Sequence, residues 1–393
     1  MRLWIVLSCA VLAACSRPLP PLPQDAYVWQ TEWTASVSEA LAASAGPIRA
    51  WRVLAATMDG EAGWRAARVD AAALAATGKP VVMVVRIDGQ LVRWDQDRLR
   101  RDVLALAARW RAAGIAVTAI EIDHDCGTAR LAAYAGFLKA LRAALPDGVG
   151  LSLTALPAWL DAPALRDVLA QVDEAVLQVH AVTDPRGGLF DANRALGWMR
   201  AFGEVTAKPW RVALPTYGSK VVWDGEGRIV AVDSERPSLV SGSNARELRA
   251  RPEEAAAFLA GLDGDRPKHL AGVVWFRLPT GDDTRSWSLA TWLAVVNRQP
   301  LRPHITAAVQ PADQPGLYDL ALVSDGTTDA ALPARITIEG SCGAADGINF
   351  YHVERAAEGL ALRRTRDGLL PPGRRRGVGW ARCDGGAPIL HLD

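Results

Sequence analysis

Residues 120–126 read "IEIDHDC", and this stretch decides the fold. Its apolar flanks mark a buried β-strand, yet Glu121, Asp123 and Asp125 recur at every second position. A pleated strand sends alternate side chains to one face, so the three carboxylates share a face. Burying like charges together is costly, and a face that only filled a core would not carry them. Such a strand fits an interior face that opens at one end onto a site.

Similar apolar runs recur on both sides. Strands are expected at 27–33, 48–55, 81–87, 117–123, 150–154, 174–180, 210–215 and 271–277. Alanine-rich amphipathic runs lie between them, among them 98–113, 129–145, 163–171, 192–205 and 252–262, and these read as helices. Eight β/α repeats in about 270 residues is the size of a (β/α)8 TIM barrel, an α/β fold, here expected over 27–300. A doubly wound open sheet would place a glycine-rich turn after its first strand, and none follows Trp33. After the seventh strand, "KVVWDGEGRIVAV" reads as a hairpin turning at Asp224-Gly225, in a loop position that can wall a cleft. Beyond Pro300 the pattern shortens to "ITAAVQ", "LYDLALVSDG" and "ARITIEGSC", which predicts a small all-β, sandwich-like accessory domain over 301–393. Its arginine runs, Arg363-Arg364 and Arg374-Arg375-Arg376, are short and read as a solvated face rather than a polyanion patch.

Of the 393 residues, 44 are basic and 43 acidic, a balance that gives no electrostatic reason to expect nucleic acid as a partner. The 15 tryptophans suit core packing, with some left to line a ligand cleft. The start, "MRLWIVLSCAVLAACSRPLPPLP", holds an apolar run too short to span a bilayer, as in a signal peptide over 1–14. Leu12-Ala13-Ala14-Cys15 matches the bacterial lipobox, so Cys15 is expected to carry lipid, palmitate included, and to anchor the chain in a membrane. Residues 15–26 form a proline-rich tether. By resemblance to other lipoproteins, Ser16 after the cysteine favours the outer membrane, with the protein facing the periplasm. In that oxidising compartment Cys342 and Cys383 are expected to pair, leaving Cys126 as a packed thiol.

The expected strand ends are polar. Gln30 and Glu32 share a face of the first strand, Arg86 and Asp88 of the third, and Gln178 and His180 of the sixth. Tyr217 follows the seventh strand, and Trp275 and Arg277 alternate on the eighth. A purely structural barrel would fill these places with branched apolar side chains. Arg86 and Arg277 are expected to pair with some of the fourth-strand carboxylates, and a carboxyl kept protonated by crowding can act as a general acid, as glycosidic cleavage requires. His124 should point away toward the helices.

The chain resembles a family of bacterial lipoproteins that carry a glycoside-hydrolase-like TIM barrel. The stretches concerned are "VVRIDG", "IEIDHDC", "LSLTALPAWL", "ALPTYG" and "GVVWFRLP". More remotely, Asp123-x-Asp125 and Gly272-x-x-Trp275 are similar to chitinase-type hydrolases, whose fourth-strand motif is Asp-x-x-Asp-x-Asp-x-Glu with the final Glu as acid and whose eighth-strand tryptophan floors a sugar subsite. Here Gly127 stands at the place of that Glu, Ile120 at that of the first Asp, and "QVHAVTD" replaces the Tyr-Asp of the sixth strand. The resemblance thus implies a glycan-related barrel without the chitinase mechanism.

The leading expectation is a lipid-anchored glycoside-hydrolase-like protein acting on a cell-envelope or imported glycan. Asp125 would be the general acid/base, Asp123 its tuner, and Glu32 or Asp88 the second carboxylate. Glu121, Arg86, Gln178, His180, Tyr217 and Arg277 would bind substrate, and Trp275, with Trp33 or Trp159, would stack on sugar rings. The alternative is a non-catalytic glycan-binding protein on a degenerate hydrolase barrel. No cofactor and no metal is expected, since a metal-dependent amidohydrolase needs His-x-His on a first strand that here reads "VWQTEW". Cys15→Ala should abolish labelling by radioactive palmitate and move the protein out of the membrane fraction. A variant that still sediments with membranes and carries label would overturn the anchor.

Overall fold

The computed structural model describes residues 19–60, 62–91, 93–180, 188–233, 244–356 and 359–393. Cys15 and the signal segment lie outside them. Eight parallel strands close into a barrel: Gln24–Val28, Ile48–Asp59, Val81–Ile87, Val117–His124, Gly150–Ala155, Glu174–Gln178, Trp210–Pro215 and Leu270–Phe276. The first strand closes the ring by pairing in parallel with both the second and the last. These strands are rich in Val, Ile and Leu because parallel strands covered on both faces bury every side chain.

Helices alternate with the strands and face them with one stripe. Gln96–Ala112 buries Leu99, Val103, Leu106, Ala107 and Trp110, a spacing that keeps one side of a 3.6-residue helix inward. Asp95 caps its start by accepting from the Arg98 amide, and Asp191 does the same for Ala192–Val205 through the Arg194 amide, both at 2.8 Å.

The insertion after the seventh strand is a hairpin of Gly218–Trp223 and Ile229–Asp233, turned at Asp224, with a further strand, Asn244–Arg249, on the other side of Gly218–Trp223. After Val296 the chain forms antiparallel sheets alone, including Ile305–Pro311, Leu317–Ser324, Arg375–Cys383 and Cys342–Gly347 in one and Tyr351–Ala356, Gly359–Arg364, Arg335–Glu339 and Ile389–Leu392 in another. Leu320, Leu322, Ile336, Leu362 and Val378 are buried together in this module. Cys342 and Cys383 are joined by a disulfide across neighbouring strands.

One boundary differs from expectation in a way that matters for the site. The first strand runs Gln24–Val28 rather than 27–33, so Gln30 and Glu32 lie beyond it. The reason is electrostatic: Asp25 is fully buried and held by Arg49 at 2.6 Å, Arg52 at 3.2 Å and Arg211 at 3.5 Å, partners contributed by distant segments. Past the strand the backbone leaves to pair with Arg68 instead, through Trp33 N–H to Arg68 O and Arg68 N–H to Thr31 O.

Candidate functional site

The barrel interior is layered, and its floor is ionic. Arg52, on the second strand, is 1% exposed and pairs with Asp25, Glu121 and Glu174. Arg211 joins from the seventh strand, 2.8 Å from Glu174. Tyr27 and Ser152 donate to Glu121 at 2.6 and 2.8 Å. Gly272 on the eighth strand makes room for this floor, since a Cβ there would stand 1.9 Å from the Arg211 guanidinium. Burial pushes the Glu121 pKa up, while the surrounding acids push that of Arg52 further up. The two directions oppose, and the contact geometry decides between them: Glu121 accepts from three donors, as a carboxylate does.

Above the floor lies a thin apolar layer, with Leu54, Val84, Val176, Ala213 and Val274 packed on Tyr27, Trp29 and Phe276. Asp123 sits beside this layer, 4% exposed, with Thr154 donating to it at 2.6 Å and Gln178 at 3.4 Å. Asp125 follows the strand's last residue, His124, and is solvent-exposed. The protein around it still raises its pKa through desolvation, while the Arg86 charge works the other way. Since the carboxyl keeps contact with water, it behaves as the wall of an open bowl and that shift is partly screened. Gly89, at the end of the third strand, packs so tightly on Asp125 that a Cβ would come 2.4 Å from the Asp125 carbonyl oxygen. The two strand ends are thereby held together.

Across the mouth, His180 is buried, its Nδ1 3.3 Å from the Tyr217 hydroxyl and its ring stacked on Phe276 at 5.3 Å. Burial lowers its pKa to about 4, so it is neutral at physiological pH, and its Nε2 has no partner among the described residues. The neighbouring sector holds an open cavity of about 1290 Å³, lined by Trp29, Glu32, Arg86, Asp88 and Arg277 among others. Arg86 links the sectors: it lies 5.7 Å over the Trp29 ring, lines the cavity and faces Asp125 electrostatically. The segment 181–187, with the "AVTD" following His180, lies outside the described residues.

Several expected roles change once depth and direction are known. Glu121 is part of the floor and out of reach of a ligand. Arg277 pairs with Asp283 at 2.8 Å. Glu32 is exposed and pairs with Arg68 at 2.9 Å. Trp275 points out of the barrel, donates to Gln24 at 2.6 Å and packs near Trp287, because Val274 and Phe276 take the inward positions of that strand. Trp159 is buried against Tyr134 and donates to the Cys126 carbonyl at 2.8 Å, and Trp33 packs against the outer core. Trp275 and Trp159 are fully buried, 0% and 1% exposed, and offer no ring to a sugar. The aromatic that faces the cavity is Trp29, which sequence reasoning missed by placing the first strand too late. His124 does point outward, against Trp94 and Tyr134. The Cys126 thiol is pushed up to about 11 by burial and is no nucleophile.

The model of a family described as a domain of unknown function (DUF3142) matches residues 77–281, and that of a second such domain (DUF8456) matches 307–384. No curated protein matches the chain. Among solved structures, a chitinase from Chromobacterium violaceum is similar at 14% identity with a TM-score of 0.50, covering 70% of this chain and 98% of its own. The spore cortex-lytic enzyme SleL of Bacillus cereus is similar at 12% identity and a TM-score of 0.51, covering 72% and 75%. SleL of Bacillus megaterium is similar at 11% and 0.50, covering 72% and 76%. At these identities the likeness is one of fold.

Floor and mouth should separate under substitution. Arg52→Met leaves three carboxylates around a missing cation and is expected to cost about 3 to 5 kcal/mol in denaturant unfolding. Folding raises the Asp125 pKa, so its ionised form at neutral pH works against the fold. Asp125→Asn should therefore leave stability within about 0.5 kcal/mol or raise it. Equal losses in the two variants would contradict the layering.

Proposed function

The chain belongs to the DUF3142 family, and on its barrel we propose a lipid-anchored, glycoside-hydrolase-like activity toward a cell-envelope or imported glycan. The observation that carries this reading is Asp125: an exposed carboxyl just past the end of the fourth strand, its pKa raised by desolvation, within electrostatic reach of Arg86, which lines the open cavity. Asp125 in its acid form would give its proton to the glycosidic oxygen as the bond to the sugar carbon breaks. Asp88 is the better second carboxylate, since it lines the cavity next to Gly89, whereas Glu32 is engaged by Arg68. Asp123, fixed by Thr154 and Gln178, would set the charge beneath Asp125. Arg86, Gln178, His180 and Tyr217 would position the sugar, with the unpartnered His180 Nε2 facing a missing polar group.

The inward positions of the strand also re-register the chitinase-type motif. Shifted by two residues, Asp-x-x-Asp-x-Asp-x-Glu would fall on Thr118, Glu121, Asp123 and Asp125, of which Asp123 alone keeps the motif's residue type. Chitinases and cortex-lytic enzymes on the same fold support a glycan ligand. Anchoring through Cys15 in the outer membrane, facing the periplasm, rests on the lipobox alone.

Non-catalytic glycan binding is the second reading. It is favoured by an acid one methylene shorter than Glu and by an eighth strand that turns Phe276, not a tryptophan, inward. Incubating the purified chain with peptidoglycan and chitin oligosaccharides, with product detection by mass spectrometry, separates the two. Turnover is expected, falling about 10²-fold or more in Asp125→Asn, with the alkaline limb of its pH profile lost. Binding without product in the native chain would support the second reading, and turnover unchanged in Asp125→Asn would remove Asp125 from the chemistry.

A further inference from the structure

Two arginines of the C-terminal module, separate in sequence from one aromatic, converge on it in space. Phe350 is 42% exposed, and the guanidiniums of Arg366 and Arg376 lie over its ring at 5.2 and 5.9 Å. Ile348, two residues earlier, is 48% exposed. Arg374 and Arg375 are exposed immediately before Arg376 in the chain. The nearest acid in sequence, Asp367, is engaged by Arg364 at 2.6 Å, and no ion pair holds Arg366 or Arg376 among the described residues. A patch with this composition has cations to spare and an aromatic surface to order them.

The backbone beneath the patch is held in an unusual form. Asn349 and Phe350 have φ of 53° and 77°, the left-handed region that a bulky residue seldom adopts. Neighbouring strands hold it there. Ile348 N–H donates to Val378 O at 2.9 Å and Asn349 Nδ2 to Gly377 O at 3.0 Å. Thr365 donates to Phe350 O through its amide at 2.7 Å and its hydroxyl at 3.0 Å. Strain of this kind persists where surrounding contacts enforce it, and it collects at binding sites. Here it presents one ring outward between two guanidiniums.

We propose that Phe350, Arg366 and Arg376 form a binding surface for an acidic polysaccharide, one bearing carboxylate groups along its chain. Lying over the ring orients each planar guanidinium, whose N–H edge suits bidentate carboxylate recognition. A membrane surface fits less well. Insertion needs apolar side chains projecting about 5 to 10 Å into the headgroups, and this turn is clamped flat against its neighbours. The surface is separate from the barrel mouth and stands whether or not that site is catalytic.

The test is affinity electrophoresis of the full chain through gels containing polygalacturonate or neutral dextran. Retardation by polygalacturonate alone is expected. Arg366→Gln with Arg376→Gln should weaken it about tenfold or more, the value of roughly one charge-assisted contact. Phe350→Ala, which leaves every charge in place, should weaken it comparably, and Phe350→Tyr should preserve it. Thermal melts of each variant verify folding. Failure of the native chain to be retarded would overturn the proposal. So would an equal loss on neutralising Arg374 and Arg375 with Phe350→Ala silent, which means undirected electrostatics, or binding only to phosphatidylglycerol vesicles, which means a membrane.

Discussion

Arg52 makes the polar barrel possible. It lies at the bottom of a closed sheet with Asp25, Glu121 and Glu174 around it, and Arg211 and Arg49 complete the charge balance from the seventh strand and from the start of the second. Barrel interiors of this size are ordinarily filled by branched apolar side chains. Replacing that filling with charge is tolerable only when each ion has partners and its remaining hydrogen-bonding positions are satisfied, which Tyr27 and Ser152 do for Glu121. The network also ties the first, second, fourth, sixth and seventh strands together from inside, and so holds the strand ends above it in register.

From that floor upward the same strand face changes its role with height. Glu121 belongs to the network, Asp123 is hydrogen-bonded beside the apolar layer, and Asp125 meets solvent. All three look alike in sequence because a period of two says which face a residue takes and nothing about its depth. The three acids therefore share a face at different depths: the lowest is structural, and the highest meets solvent.

The eight strands and the all-β module were legible because buried parallel strands are written as continuous Val, Ile and Leu runs, and helices as spaced apolar stripes. The start of the first strand was not, since Asp25 is at home in a barrel interior only through arginines that adjoin it in three dimensions. That error moved Trp29 out of view and set Gln30 and Glu32 on a strand that ends before them. Trp275 failed for a related reason: a shift of one residue reverses every side chain of a strand, and nothing in "GVVWFRLP" says whether Trp275 or Phe276 faces inward. The Phe350 cluster was hidden because its parts lie in a turn, a bend and a strand that are apart in sequence.

The central claim is that Asp125 stands at the mouth, crowded by the protein and opposed by the Arg86 charge. Its carboxyl carbon can be followed directly by NMR in a pH titration of the folded chain, with the assignment made from Asp125→Asn. The midpoint should lie above the ordinary aspartate value of about 3.9, and Arg86→Gln should move it higher by removing the charge that holds it down. A midpoint at or below the ordinary value, or one indifferent to Arg86, would contradict the account.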